Sequence, residues 1–363
     1  MGEQITSGMS PPSNLRSVHT DTFALWLQQN SVSLAVTTYQ AGKVVLLREQ
    51  EGKVNTHFRG CDRPMGLAVS HGRVAIGGAR EIVEFHNMEA AAASLSGEIT
   101  HDACYLPRKV SITGDIDIHE MGYGTGDELW FVNTRFSCLC TMDDEHSFVP
   151  AWRPGFISGL SPQDRCHLNG LAMKDGKPAW ATALSATDTA SGWRDTKKSG
   201  GVLIDIASGD VVVDGLSMPH SPRWHNGKLW LLESGDGSIG TVDLDSGHYE
   251  PVGHVPGFAR GLTLAGDVAA IGVSQVRESA VFSGIPITER LQERLCGIWL
   301  IDLTSGKELG FVRFEQDVQE IFAVEILPHR FPEIVETNAE LVGQTYAMPA
   351  ESLADVQWLP PRP

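Results

Sequence analysis

Six stretches of the chain open alike, and the residues at their openings are of types that do chemistry. Aligned on the glycine turns that follow them, they bring Met65, Asp117, Asn169, His220, Arg260 and Glu320 to one equivalent position. Five of the six are polar, and a ring of such side chains needs solvent, an ion or a ligand to satisfy it. Three chemistries suit these residue types. His119, His167 and His220, on successive stretches, fit a His-ligated transition metal with open coordination positions. Asp117, Asn169 and Glu320 offer oxygen ligands to Ca²⁺ or Mg²⁺. In an enzyme of either kind, His167 or His220 can act as acid or base, Asp117 or Glu320 can orient it or hold a cation, and Arg63, Arg223 and Arg260 can bind an anion.

The elements that must carry these residues are short strands, because the chain repeats itself. Cys166 to Trp180 and Met218 to Trp230 each give an apolar segment, a Gly turn (Asp175-Gly176, Asn226-Gly227) and a second apolar segment. The spacing predicts inner strands at Met65–Val69, Asp115–Met121, His167–Met173, His220–Trp224 and Arg260–Leu264. Second strands are expected at Leu129–Val132, Pro178–Thr182, Lys228–Leu232 and Val268–Val273. The N-terminal strands Val32–Thr38, Lys43–Arg48 and Lys53–Phe58 lack an inner strand, and Glu320–Leu327 is an inner strand without a blade. Pairing the two closes the ring with no exposed edge. The expectation is an all-β fold, a six-bladed β-propeller with N/C-terminal velcro closure. A leader at 1–18, one domain over 19–332 and an arm over 333–363 complete it, with short helices at Asp21–Asn30 capped by Thr20, at Met88–Ser96 and at Ile287–Leu295.

In such a ring the ends of second strands share a mouth with the starts of inner strands, which adds Tyr39, Gln40, Arg80, Asn133, Thr134, Arg135, Ser185, Glu233, Ser234 and Gln275 to the candidates. Two insertions, Ser185–Gly200 and Val276–Cys296, rise over that mouth. Trp193 and Arg194 give the first a stacking face and an anion-binding fork, so it is expected to be a removable lid that leaves the blades intact.

Several function classes lose their support. No GxSxG elbow, P-loop or strand-helix GxGxxG is present, and Gly122 to Gly126 reads as a hairpin turn. With 28 Lys and Arg against 45 Asp and Glu, the net charge of −17 repels nucleic acid and anionic membrane surfaces. No apolar run approaches the ~20 residues of a membrane span, and no basic, apolar export leader opens the chain. The six cysteines form no CxxC pair and read as reduced thiols of a cytoplasmic protein; Cys166, beside His167, is the one placed as a nucleophile. The expectation is an enzyme acting on a small polar or anionic molecule, by hydrolysis or by isomerisation or elimination; the alternative is a non-catalytic propeller that binds a protein or small-molecule partner.

Asn169-Gly170-Leu171-Ala172, followed by a Gly turn and an aromatic strand, resembles the six-bladed gluconolactonase and regucalcin-like propellers. That resemblance implies a divalent cation on Asn169, Asp117 and Glu320 and hydrolysis of sugar lactones, whereas His220 and Arg260 depart from the pattern. Over nearly the whole length, including Gly60-Cys61-Asp62-Arg63-Pro64-Met65-Gly66-Leu67-Ala68 and Met218-Pro219-His220-Ser221-Pro222-Arg223, the chain is similar to a bacterial family of conserved hypothetical propeller proteins with no assigned activity.

Overall fold

Tight hairpins set the architecture. Asp175 and Gly176 (φ 52° and 71°) and Asn226 and Gly227 (φ 49° and 74°) both turn through left-handed backbone. Two such residues in succession give the turn whose twist matches antiparallel strands. Lys174 accordingly pairs with Lys177, and His225 with Lys228. The structure, a computed structural model, describes residues 15–95, 100–275 and 284–356.

Six sheets result, each built on four antiparallel strands. Blade three runs outward as Ile118–Tyr123, Leu129–Asn133, Cys138–Thr141 and Val149–Trp152. Blade four is Leu168–Lys174, Lys177–Ala183, Gly201–Asp205 and Val211–Leu216. Blade five is Pro219–His225, Lys228–Glu233, Ser238–Asp243 and His248–His254. Apolar side chains between neighbouring sheets form the core, as where Leu168, Leu171 and Ala181 of blade four pack on Val132 and Leu139 of blade three. Such face-to-face burial supplies most of the stability.

The ring closes as expected. Ala323–Leu327 pairs with Ser33–Thr37 from Thr37↔Ala323 to Ser33↔Leu327, and Lys43–Gln50 and Lys53–Gly60 complete blade one. The termini do more than this, which corrects the leader and arm boundaries. Ser17–His19 adds a fifth strand to blade six, outside Glu308–Phe314. Pro332–Ile334 adds one in parallel to Ala103–Ile112 of blade two, so the chain expected as an arm begins inside a sheet. Residues 1–14 of the expected leader lie outside the described residues.

The helix Asp21–Asn30 forms where expected and buries Phe23, Ala24 and Leu27, but Leu25 is exposed. Thr20 does not cap it through its side chain; its hydroxyl accepts from Phe311 N instead. The other two helices shorten to Glu89–Ala92 and Pro286–Arg290. Among the described residues no helix is long and apolar enough to cross a membrane.

A buried carboxylate fastens the C-terminal strand. Glu333 accepts from Arg59 Nε at 2.8 Å and from His57 Nε2 at 3.1 Å, and Arg48 donates to Pro332 O at 3.0 Å while its guanidinium lies 3.9 Å over Phe331. Burial alone would raise the Glu333 pKa, yet the His57 and Arg59 hydrogen bonds outweigh it and bring the group to about 2. A carboxyl depressed in the fold adds stability that is present above its unfolded pKa of ~4.3 and is lost as pH falls toward the folded value. Glu333→Gln should therefore cost about 3 kcal/mol at pH 7, read from urea unfolding, and should flatten the loss of stability between about pH 4 and pH 2. Ending the chain after Gln316, which removes the closing strand, should abolish soluble monomer on size exclusion; ending it after Val335 should leave a folded monomer.

Candidate active site at the channel mouth

The blades are stitched to each other by hydroxyls, and the stitches fix the true alignment of the inner strands. The side chain ending one blade's second strand donates to an inner-strand carbonyl of the next. Thr37 donates to Met65 O at 2.6 Å, Thr134 to Leu168 O at 2.6 Å, Ser234 to Ala259 O at 2.5 Å and Ser274 to Ile321 O at 3.1 Å. Between blades four and five the Asn169 amide substitutes, donating to Pro219 O at 3.0 Å while its Oδ1 accepts from Thr182 at 2.7 Å. The residues after these carbonyls, Gly66, Asn169, His220, Arg260 and Phe322, are equivalent, and the pairing of Ile118 with Asn133, like that of Leu168 with Ala183 and Pro219 with Glu233, sets His119 level with them. Two places before His119, Asn169, His220, Arg260 and Phe322 stand Asp117, His167, Met218, Phe258 and Glu320.

This corrects the sequence alignment, which set Met65, Asp117 and Glu320 level with Asn169, His220 and Arg260. The error is two residues in blade three and in the closing strand, and one in blade two. Asp117, His167 and Met218 share left-handed backbone (φ 55°, 51° and 50°), an unfavourable state for non-glycine residues that concentrates at functional sites.

Two tiers of this ring open on a cavity of about 310 Å³ lined by Asp117, His119, His167, His220, Arg260 and Glu320. Tyr39, Asp164, Trp193, Arg194, Met218, Phe258 and Phe322 complete its wall. The expected meeting of His220 and Arg260 in one pocket is thus found. Arg260 lies 3.4 Å over the Phe322 ring and 3.6 Å from Glu320. Burial lowers its pKa and Glu320 and Asp117 offset this, so the guanidinium stays charged.

His167 forms a dyad that the repeat did not reveal. Its Nδ1 faces both carboxylate oxygens of Asp164, at 2.9 and 3.0 Å, and Trp193 Nε1 donates to Asp164 Oδ2 at 2.8 Å. The indole also packs on the imidazole at 4.5 Å between centroids. A carboxylate accepts only, so Nδ1 carries the proton and Nε2 is left as the base. The signal available in sequence was Asp164 three residues before His167, outside the strand period. His119 and His220 are held well below the ordinary imidazole range by burial, then by the charge of Arg260, and are neutral at pH 7.

Other candidates lie elsewhere. Asn169 is a buried blade connector, so the cation set of Asp117, Asn169 and Glu320 is not assembled. Arg223 sits among the inner strands, bonded to Glu120 at 2.5 Å and Glu325 at 3.2 Å. Arg63 and Arg135 pair with Asp115, at 3.8 and 3.1 Å, and do not line the cavity. Cys166 is fully buried, and burial pushes its thiol up to about 12, which removes it as a nucleophile. The described cysteines are all free thiols.

The sequence profile described as Domain of unknown function (DUF4915) matches residues 21–335. The chain belongs to the DUF4915 family. No curated protein matches the sequence. Among solved structures, one described as a nidogen/laminin complex aligns at TM-score 0.53 and 10% identity, covering 82% of this chain and 99% of its own. A protein of unknown function from Bacteroides caccae aligns at TM-score 0.51 and 11% identity with the same coverages. Likeness at this level shows the propeller fold alone.

Among the described residues no three His, Cys, Asp or Glu side chains are gathered to hold one ion. Arg260, whose charge already depresses His119 and His220, adds repulsion to a dication placed beside them.

The first insertion is also more than a lid. Trp193 is 3% exposed and packs with Leu184, Met218, Phe258, Ile285 and Ile287, so both insertions share one apolar cluster. Residues 276–283 of the second insertion lie outside the described residues. Replacing Asp188 to Lys198 by a short turn is consequently expected to destabilise the protein, contrary to the sequence expectation. Trp193→Ala should cost about 3–5 kcal/mol, and Trp193→Phe, which keeps most of the packing but loses the bond to Asp164, about 1–3 kcal/mol, both from urea midpoints.

Proposed function

We propose that this protein is a cytoplasmic enzyme that carries out proton-transfer chemistry on a small polar substrate bearing an anionic group. The Asp164–His167 dyad, clamped by Trp193 at a cavity that also holds a partly buried Arg260, is the observation that carries the reading. His167 Nε2 takes a proton from the substrate or from a water beside it, and Asp164 stabilises the imidazolium so formed. The same proton then returns to the departing group, as hydrolysis and elimination both require. Arg260, with Arg194 at the rim stacked 4.6 Å from the Trp193 ring, pairs with the anionic group. The apolar wall of Met218, Phe258 and Trp193 lowers the local dielectric around these contacts. The cavity volume suits a metabolite, at the small end of ligand sites.

The test is a thermal-shift panel of small carboxylates, phosphate monoesters and their neutral analogues, followed by titration and turnover of whatever binds. An anionic compound should stabilise the wild type and bind at least about tenfold more weakly to Arg260→Met and Arg194→Ala, the loss expected for one charge-assisted hydrogen bond. His167→Gln should retain binding and lose turnover, and chelation should change neither. Stabilisation by neutral or cationic compounds only, or binding that chelation abolishes, would overturn the reading.

A further inference from the structure

His119 and His220 repeat one arrangement two blades apart. His119 Nδ1 lies 3.0 Å from Asp117 O and 2.8 Å from Thr134 Oγ1. His220 Nδ1 lies 2.9 Å from Met218 O and 2.9 Å from Ser234 Oγ. A hydroxyl could donate to an imidazole nitrogen or accept from it, and the choice decides which nitrogen of the ring is left bare. Here the carbonyls of Asp117 and Met218, which can only accept, and the next blade make the same choice. Thr134 spends its proton on Leu168 O, and Ser234 spends its own on Ala259 O, so both hydroxyls face the histidines as acceptors.

The hydroxyls have a structural duty of their own, which must be separated from this one. In blades one and six the same stitch occurs without a histidine: Thr37 Oγ1 accepts from Ala323 N at 3.0 Å, and Ser274 Oγ accepts from Ile321 N at 2.9 Å. In blades three and five the accepting lone pair is given to an imidazole that lines the cavity. The connection between blades is therefore reused to orient a ring.

We propose that Thr134 and Ser234 are positioning residues that hold His119 and His220 as Nδ1–H tautomers, so that the cavity offers two neutral Nε2 acceptors to hydrogen-bond donors of one ligand. This rests on reading the mouth as a ligand site, and it adds what that ligand must present: donor groups on two sides as well as its anionic group. It also separates the roles of the three histidines. His167, backed by a carboxylate, is built to become charged, whereas His119 and His220, backed by neutral oxygens beside Arg260, are built to stay neutral.

The test is ¹⁵N NMR of the labelled full chain, with the two rings assigned by the signals lost in His119→Gln and His220→Gln. In the wild type both rings should show a pyrrole-like Nδ1 and an imine-like Nε2 that do not titrate between pH 6 and 8. Thr134→Val should shift the two nitrogens of His119 toward each other as the second tautomer is populated, and Ser234→Ala should do so for His220. Thr134→Ser and Ser234→Thr should restore the wild-type pattern. A protonated Nε2 in the wild type would overturn the proposal, whether or not the variants fold, and so would folded Val and Ala variants with unchanged ring shifts. No ligand enters this measurement, so a cavity that binds no anion would sink the functional reading while leaving the tautomers as measured.

Discussion

Closure of the ring by Ala323–Leu327 is the constraint on which the rest depends. The strand supplies blade one with its inner edge, and its approach carries Glu320 and Phe322 to the mouth. Arg260 of blade six is stacked on Phe322 and faces Glu320, so one wall of the site exists only when the two ends of the chain have met. Thr37 makes the dependence local. Its hydroxyl accepts from Ala323 N and donates to Met65 O, so a single oxygen ties the closing strand, blade one and blade two. Such pairing of distant segments is costly in chain entropy until the whole ring forms, which couples the stability of the site to that of the fold.

The polar axis is the second consequence of a closed ring. Six inner strands converge, and some of their side chains must meet where no apolar sheet face is available. Below the mouth the protein places Arg223 between Glu120 and Glu325, two carboxylates on one guanidinium nitrogen. Burial first, and then Glu120, raise the Glu325 pKa to about 7 against the opposing pull of Arg223. A buried pair of this kind contributes little net stability, yet removing one partner strands the others without solvent. It favours one mutual arrangement of blades one, three and five, those that carry Glu325, Glu120 and Arg223.

The blades were legible in the sequence because turn chemistry and strand period agree at each of them. The site was legible only to within two residues. Positions i and i+2 of a strand point to the same face, so a polar residue two places early satisfies the pattern equally well. Asp117 could stand for His119, and Glu320 for Phe322, on period alone. The left-handed residues Asp117, His167 and Met218 break the strand period at the point where register matters. Asn169 was misread for a different reason: its amide replaces a missing hydroxyl between blades, a duty visible only once the partner carbonyl of Pro219 is located. Asp164 belongs to no strand, and its meeting with His167 and Trp193 depends on loop paths that no periodicity encodes. Trp193 itself looked dispensable because its burial comes from the other insertion, more than ninety residues away in sequence.

The acidic chain as a whole and Arg260 at its mouth act on an anion over different distances. The net charge of −17 acts on an approaching anion through water, where salt screens it beyond a Debye length of ~8 Å. Arg260 acts from inside the cavity, beside low-dielectric walls formed by Phe258, Met218, Phe322 and Trp193, where the same charge counts for several times more. Asp117, Asp164 and Glu320 line the same cavity and oppose an anion, but Asp164 has its oxygens turned to His167 and Trp193, while Glu320 stands 3.6 Å from an Arg260 guanidinium that carries five donors. Two of the three histidines remain uncharged beside that arginine. The site thus sets Arg260, with Arg194 at the rim, among carboxylates and two neutral imidazole acceptors, an arrangement that suits a ligand anionic at one end and rich in hydrogen-bond donors at the other.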